Sequence, residues 1–101
     1  MATCTWLSTE FTVFSHADQW NNVGGVYIFS KLNQQQHWVA LYVGETDSFA
    51  SRLPNHERWQ EARQLGATHV HARTVDAAGT RAALQEQLIV ACQPPLNVQL
   101  K

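Results

Sequence analysis

Two runs rich in β-branched and aromatic residues, at 26–30 and 38–43, are separated by a short polar stretch, 32–37. Such runs favour strands. A parallel crossover needs roughly a dozen residues or more, so strands this close in sequence must be antiparallel neighbours. A simple hairpin centred between Gln34 and Gln35 sets Tyr27 opposite Tyr42 and Phe29 opposite Ala40, all on one sheet face. A one-residue slip would send the two phenols to opposite faces.

The rest of the chain is read around this hairpin. Phe11 and Val13 suggest a short strand at the front. Ser15 and Asp18 have the spacing of a helix start, with one helical turn following to Trp20. Gly44 breaks the second strand. Thr46 or Asp47 caps a helix reaching Leu53, and Pro54 interrupts it. A second helix is expected over 56–65, with Gly66 past its end. Residues 69–75 alternate as a third strand, and 80–92 form a helix ended by Pro94 and Pro95. The expected fold class is α+β: a small antiparallel three-stranded sheet, with one optional N-terminal strand, flanked by helices. Residues 1–22 are an N-terminal lead-in packed on a domain spanning 23–101.

At 101 residues the chain holds one small domain. With 45% hydrophobic and 15% charged residues it is not a disordered chain. No apolar run approaches the ~20 residues of a membrane helix, and residues 1–10 do not resemble a signal peptide. A cytoplasmic protein is the expectation. Cys4 and Cys92 form no CxxC pair and are most simply free thiols. The net charge of −1 is unlike the basic excess usual in nucleic-acid binders, although Arg52, Arg58 and Arg63 cluster in sequence.

From the hairpin alone, Tyr27 and Tyr42 are most simply a strand-stabilising aromatic pair. In the last helix, Leu84, Leu88, Ala91 and Cys92 define an apolar face. Glu86 lies opposite it, beside Ala83 and Val90. It is the helix's single acid, either at a solvated edge or held for a purpose such as metal binding. His69 and His71 face one way on the third strand, more simply a solvated face than a metal pair, because no third ligand stands beside them. The tryptophans read as core, with Trp59 near enough to the arginines to contact a base.

Taken in order, these residues resemble a family. Gly25-Val26-Tyr27 and Tyr42-Val43-Gly44 look like the two halves of the GIY-YIG nuclease signature. Arg52, His56, Glu86 and Asn97 follow at the positions of that family's arginine, histidine, metal-binding glutamate and closing asparagine. The resemblance covers about 24–98 and implies the GIY-YIG fold and a metal-dependent endonuclease acting on DNA. In that reading Tyr27 is the general base on the attacking water and Tyr42 orients it. Arg52 stabilises charge on the phosphate, His56 shares proton handling and Asn97 ties the chain end to the site. Glu86 holds one Mg²⁺, for which Mn²⁺ can substitute. Arg58, Arg63 and Trp59 contribute to DNA binding. A homodimer or larger partner supplies target recognition. Activating Tyr27 at neutral pH asks for a fall of about three pKa units. The alternative is a catalytically silent nucleic-acid-binding or protein-interaction module on the same fold. Glu45, just after the second motif, is an acid where a basic or neutral residue is more familiar.

Overall fold

The computed structural model describes residues 2–98. Its centre is one sheet built from β1 (Thr3–Trp6), β2 (Thr9–Phe14), β3 (Gly25–Leu32), β4 (Trp38–Thr46) and β5 (His69–Thr74). The strand order is β1-β2-β5-β3-β4, and every pairing is antiparallel. The helices are α1 (Phe49–Arg52), α2 (Glu57–Gln64), α3 (Ala78–Cys92) and α4 (Pro95–Val98).

This corrects the expected three-stranded, helix-flanked GIY-YIG arrangement: the sheet has five strands. The N-terminal residues supply a whole hairpin, and β2 lies against β5 through Thr12, Val13 and Phe14. The β1–β2 turn is made by Leu7 and Ser8, both at positive φ (50° and 62°). Tight hairpins of this kind usually advertise themselves by Asn-Gly or Asp-Gly. Leu-Ser carries no such signal. The helical turn expected after Ser15 is a non-helical turn, although Asp18 does accept from the Ser15 N–H at 2.9 Å.

The central hairpin departs from the simple symmetry in two places. Its loop centres on Gln35, not between Gln34 and Gln35. Leu32 pairs with Trp38, the Asn33 N–H donates to the His37 carbonyl, and Gln36 turns the chain at φ 65°. A bulge then falls opposite Phe29 and Ser30, leaving Leu41 as the extra residue of β4. Each departure shifts the register by one. Tyr27 therefore sits opposite Gly44, and Phe29 opposite Tyr42. Because side chains alternate with period two, the double shift leaves both tyrosines on one face.

The sheet is covered on both sides. One face carries Tyr27, Phe29, Val70 and Ala72, packed against Phe49, Leu53, Ala62 and Leu96, with Trp20, Tyr42 and Trp59 half-buried around them. The other face carries Phe11, Val26, Ile28, Ala40 and Val43, packed against Leu84, Leu88, Ile89 and Cys92 of α3. We call these the tyrosine face and the α3 face. Among the described residues no helix is long and apolar enough to cross a membrane.

The α3 face has a partly buried ion pair at its seam. Arg81, 8% exposed, donates to Glu45 Oε1 at 3.0 Å and to the carbonyls of Val75 and Asp76. Glu45, which the resemblance marked as a misplaced acid, is neutralised there. On the same face lies His71, which the alternation had suggested was solvated. It is fully buried. Its Nδ1 accepts from the indole N–H of Trp6 at 2.9 Å and lies 3.1 Å from Cys4 Sγ. With Nδ1 accepting, the neutral ring carries its proton on Nε2, which has no hydrogen-bond partner. Burial, followed by the charge of His69, pushes its pKa down to about 4. The β1 hairpin supplies the cover that alternation could not foresee.

Candidate functional site

Tyr27 lies at the centre of the tyrosine face, on the middle of three adjacent strands, and is 1% exposed. Its ring lies across Gly44. A Cβ at Gly44 would fall on the Tyr27 hydroxyl, so glycine there is what lets the ring lie flat on β4. The hydroxyl is 2.7 Å from His56 Nε2.

The direction of that bond follows from the other side of the imidazole. His56 is the N-cap of α2, and its Nδ1 accepts from the Arg58 backbone N–H at 3.0 Å. A neutral histidine whose Nδ1 accepts must carry its proton on Nε2. His56 therefore donates to Tyr27 Oη. Burial, followed by the charge of Arg52, pushes its pKa down to about 4, so it is neutral at pH 7. His56 can steady a phenolate at Tyr27 but cannot accept its proton. Tyr27 itself is pushed up, first by burial and then by Tyr42. Arg52 opposes this without prevailing. That is opposite to the shift a general base at neutral pH requires.

Tyr42 is half-buried, with its ring centroid 6.3 Å from that of Tyr27, and burial raises its pKa too. The His56 ring stands edge-on to Tyr27, Phe29 and Tyr42 at 5.0–5.5 Å. This aromatic box is held from below by the sheet and from above by α2.

Arg52 ends α1 at its rim. Its guanidinium grips Glu57 bidentately, at 2.7 and 2.8 Å. Those bonds hold the Glu57 carboxyl down to about 2. The pair is solvent-exposed, with 37% and 66% of the side chains accessible. Sequence reading missed Glu57. It lies five residues from Arg52 across Pro54, so no helical spacing announced the contact. Ser48, rather than Thr46 or Asp47, caps α1.

The other proposed DNA contacts are partly committed elsewhere. Arg58 pairs with Glu61 at 2.9 Å. Trp59 stacks on His16 with centroids 4.2 Å apart and planes 9° from parallel, so one of its faces is covered. Arg63 is exposed and makes no side-chain hydrogen bond or ion pair among the described residues. Asn97 closes the edge of β4. Its amide accepts from the Val43 N–H at 2.8 Å and donates to the Val43 carbonyl at 2.9 Å, as a neighbouring strand would.

Glu86 is not part of this cluster. It is exposed on α3, in a shallow groove with Ala83, Gln87 and Val90, turned away from the seam of Leu84 and Leu88. That seam covers the α3 face. The helix's width, about 10 Å, and the sheet itself separate Glu86 from the tyrosines. Among the described residues no three His, Cys, Asp or Glu side chains converge to hold a metal ion. The carboxylate that faces the tyrosines, Glu57, is taken up by the Arg52 guanidinium. The structure brings together Tyr27, Tyr42, Arg52 and His56, fastens Asn97 to the strand that carries Tyr42, and leaves Glu86 apart. Comparison with family models, curated proteins and solved structures finds no match to this chain.

Proposed function

We propose that this chain binds the phosphodiester backbone of DNA at the Arg52 rim of the aromatic box and does not cut it. The observation that carries this reading is the Arg52 fork. It already holds two oxygens of one oxyanion at 2.7 and 2.8 Å beside half-exposed Tyr42. A phosphodiester offers the same pair of oxygens and the same single negative charge as the carboxylate. Catalytic silence is supported by His56 acting as a donor to Tyr27 and by the remoteness of Glu86. With a net charge of −1, affinity from one chain is weak, and a homodimer or larger partner adds the remaining phosphate contacts. Free thiols at Cys4 and Cys92 fit a cytoplasmic setting.

A second reading, a Mg²⁺- or Mn²⁺-dependent endonuclease, is favoured by the convergence of Tyr27, Tyr42, Arg52 and His56 on one face. One experiment separates the two. Fluorescence anisotropy of a labelled DNA oligonucleotide and nicking of supercoiled plasmid, with Mg²⁺ or Mn²⁺, are followed for wild type, Arg52→Ala and Glu86→Ala. The silent reading expects binding that Arg52→Ala weakens by about tenfold or more and no nicking. Nicking that disappears in Glu86→Ala would establish the endonuclease. Absence of both binding and nicking in folded wild type would sink both readings.

A further inference from the structure

The tyrosine face has a second concave feature, next to the box. A cleft of about 370 Å³ opens over β2 and β5, within the range of sites that take small molecules. Phe14, Trp20 and Phe49 line it, in a lining that is otherwise largely polar and includes Glu10. Trp20 is anchored by its indole N–H to the His16 carbonyl and tilts against both phenylalanines, at 5.0 and 6.0 Å. Phe49 also stands edge-on to Tyr27 at 6.5 Å, so cleft and box are one ring apart.

The cleft's polar groups are uncommitted. Thr12, Gln19, Asn21 and Thr74 line it, and their side chains enter none of the hydrogen bonds among the described residues. Asn21 and Gln19 are exposed primary amides, each offering a donor and an acceptor. Arg73 at the rim donates to the Glu10 carbonyl at 3.0 Å and keeps further N–H groups. An aromatic wall with paired donor–acceptor groups matches a planar ring with a hydrogen-bonding edge.

We infer that this cleft is a nucleobase pocket, which takes an unstacked base of the strand whose phosphate lies at Arg52. The inference rests on the phosphate-binding reading and names its substrate: single-stranded DNA, or duplex with a base turned out of the stack. Aromatic contact and amide hydrogen bonds to a base edge are how unpaired bases are read. Amides suit adenine in particular, whose edge pairs a donor with an acceptor.

The test is chemical-shift mapping on ¹⁵N-labelled protein. It uses deoxyadenosine, which has a base and no phosphate, and inorganic phosphate, which has no base. The expected result is that millimolar deoxyadenosine shifts the amides of Gln19, Asn21, Ala72 and Thr74. The double variant Gln19→Ala/Asn21→Ala, which removes no internal hydrogen bond, should weaken that response at least fivefold. Arg52→Ala should leave it unchanged. If phosphate shifts resonances around Arg52 and deoxyadenosine shifts nothing, the pocket is refuted while the phosphate reading survives. If deoxyadenosine shifts the cleft and phosphate moves nothing, the pocket stands as a base site and the Arg52 reading falls. An undiminished response in the double variant also overturns the pocket.

Discussion

Two buried neutral histidines give this domain a steep dependence on mild acid. His56 is 4% exposed and His71 fully buried, and both are held near pKa 4 chiefly by burial. In the unfolded chain each titrates near ~6.5. Between those values the unfolded state binds protons that the folded state refuses, so stability is complete above about pH 6.5 and is lost as pH falls toward 4. For each histidine, going from pH 7 to pH 5 costs about 2 kcal/mol. Together they cost about 4 kcal/mol, a large share of the ~5–15 kcal/mol typical of a whole domain. Glu57 stays out of this window. Its pKa is held at about 2, so its contribution is present above the ordinary carboxylate range and fades only below it. The groups around His71 are Cys4, Trp6, Ser30, Trp38 and His69, with no carboxylate among its hydrogen-bond or ring contacts to take up a charge. The assay is urea unfolding followed by tryptophan fluorescence at both pH values, for wild type and His71→Gln. Glutamine keeps an acceptor for the Trp6 indole but cannot ionise. The variant should be less stable at pH 7 and lose only about half as much on acidification. A wild-type stability that is level between pH 7 and pH 5, or an equal loss in the variant, would refute the reasoning.

Four further outcomes follow from single contacts. Gly44→Ala should destabilise the domain by about 1–3 kcal/mol, read as a lower thermal midpoint, because the methyl group occupies the place of the Tyr27 hydroxyl. Arg81→Met should cost about 3 kcal/mol by urea titration, since it strands Glu45 and the Val75 and Asp76 carbonyls. Glu45→Gln should cost less, because Glu45 is 34% exposed. Glu57→Gln should tighten DNA binding by up to about fivefold in anisotropy, because the exposed pair competes with phosphate for Arg52. A weaker complex would instead make Glu57 a positioning residue for that arginine.

The tyrosine face was legible in the sequence for a reason that survived two errors. Loop symmetry misplaced the register by one residue, and the Leu41 bulge, with no sequence mark, added another. Parity is all that decides a face, so Tyr27 and Tyr42 stay together although they are not opposite each other. Gly66 was legible as a break and takes the positive φ of 103° that such a helix end uses, whereas Gly44, expected to break the second strand, lies inside β4, which continues to Thr46. The N-terminal hairpin was not, because Leu7 and Ser8 turn the chain without the residues that usually do. The burial of His71 was lost with it: one strand's alternation cannot report that Trp6 and Cys4, far away in sequence, will cover it.

Glu86 shows what order along a chain leaves open. Helical periodicity put it opposite the apolar seam of its helix, and the structure leaves it exposed there. Periodicity is silent on which face of the sheet that seam covers. The anchor that settles this is Arg81, which pairs with Glu45. Glu45 alternates with Gly44 along β4, so a carboxylate next to the glycine of the tyrosine face must project from the other face. Seating Arg81 on it draws α3 to that side, and every residue on the outer surface of α3 then points away from Tyr27. Glu86, to which the resemblance assigns the metal, is thus exposed on the side of α3 turned away from the tyrosines.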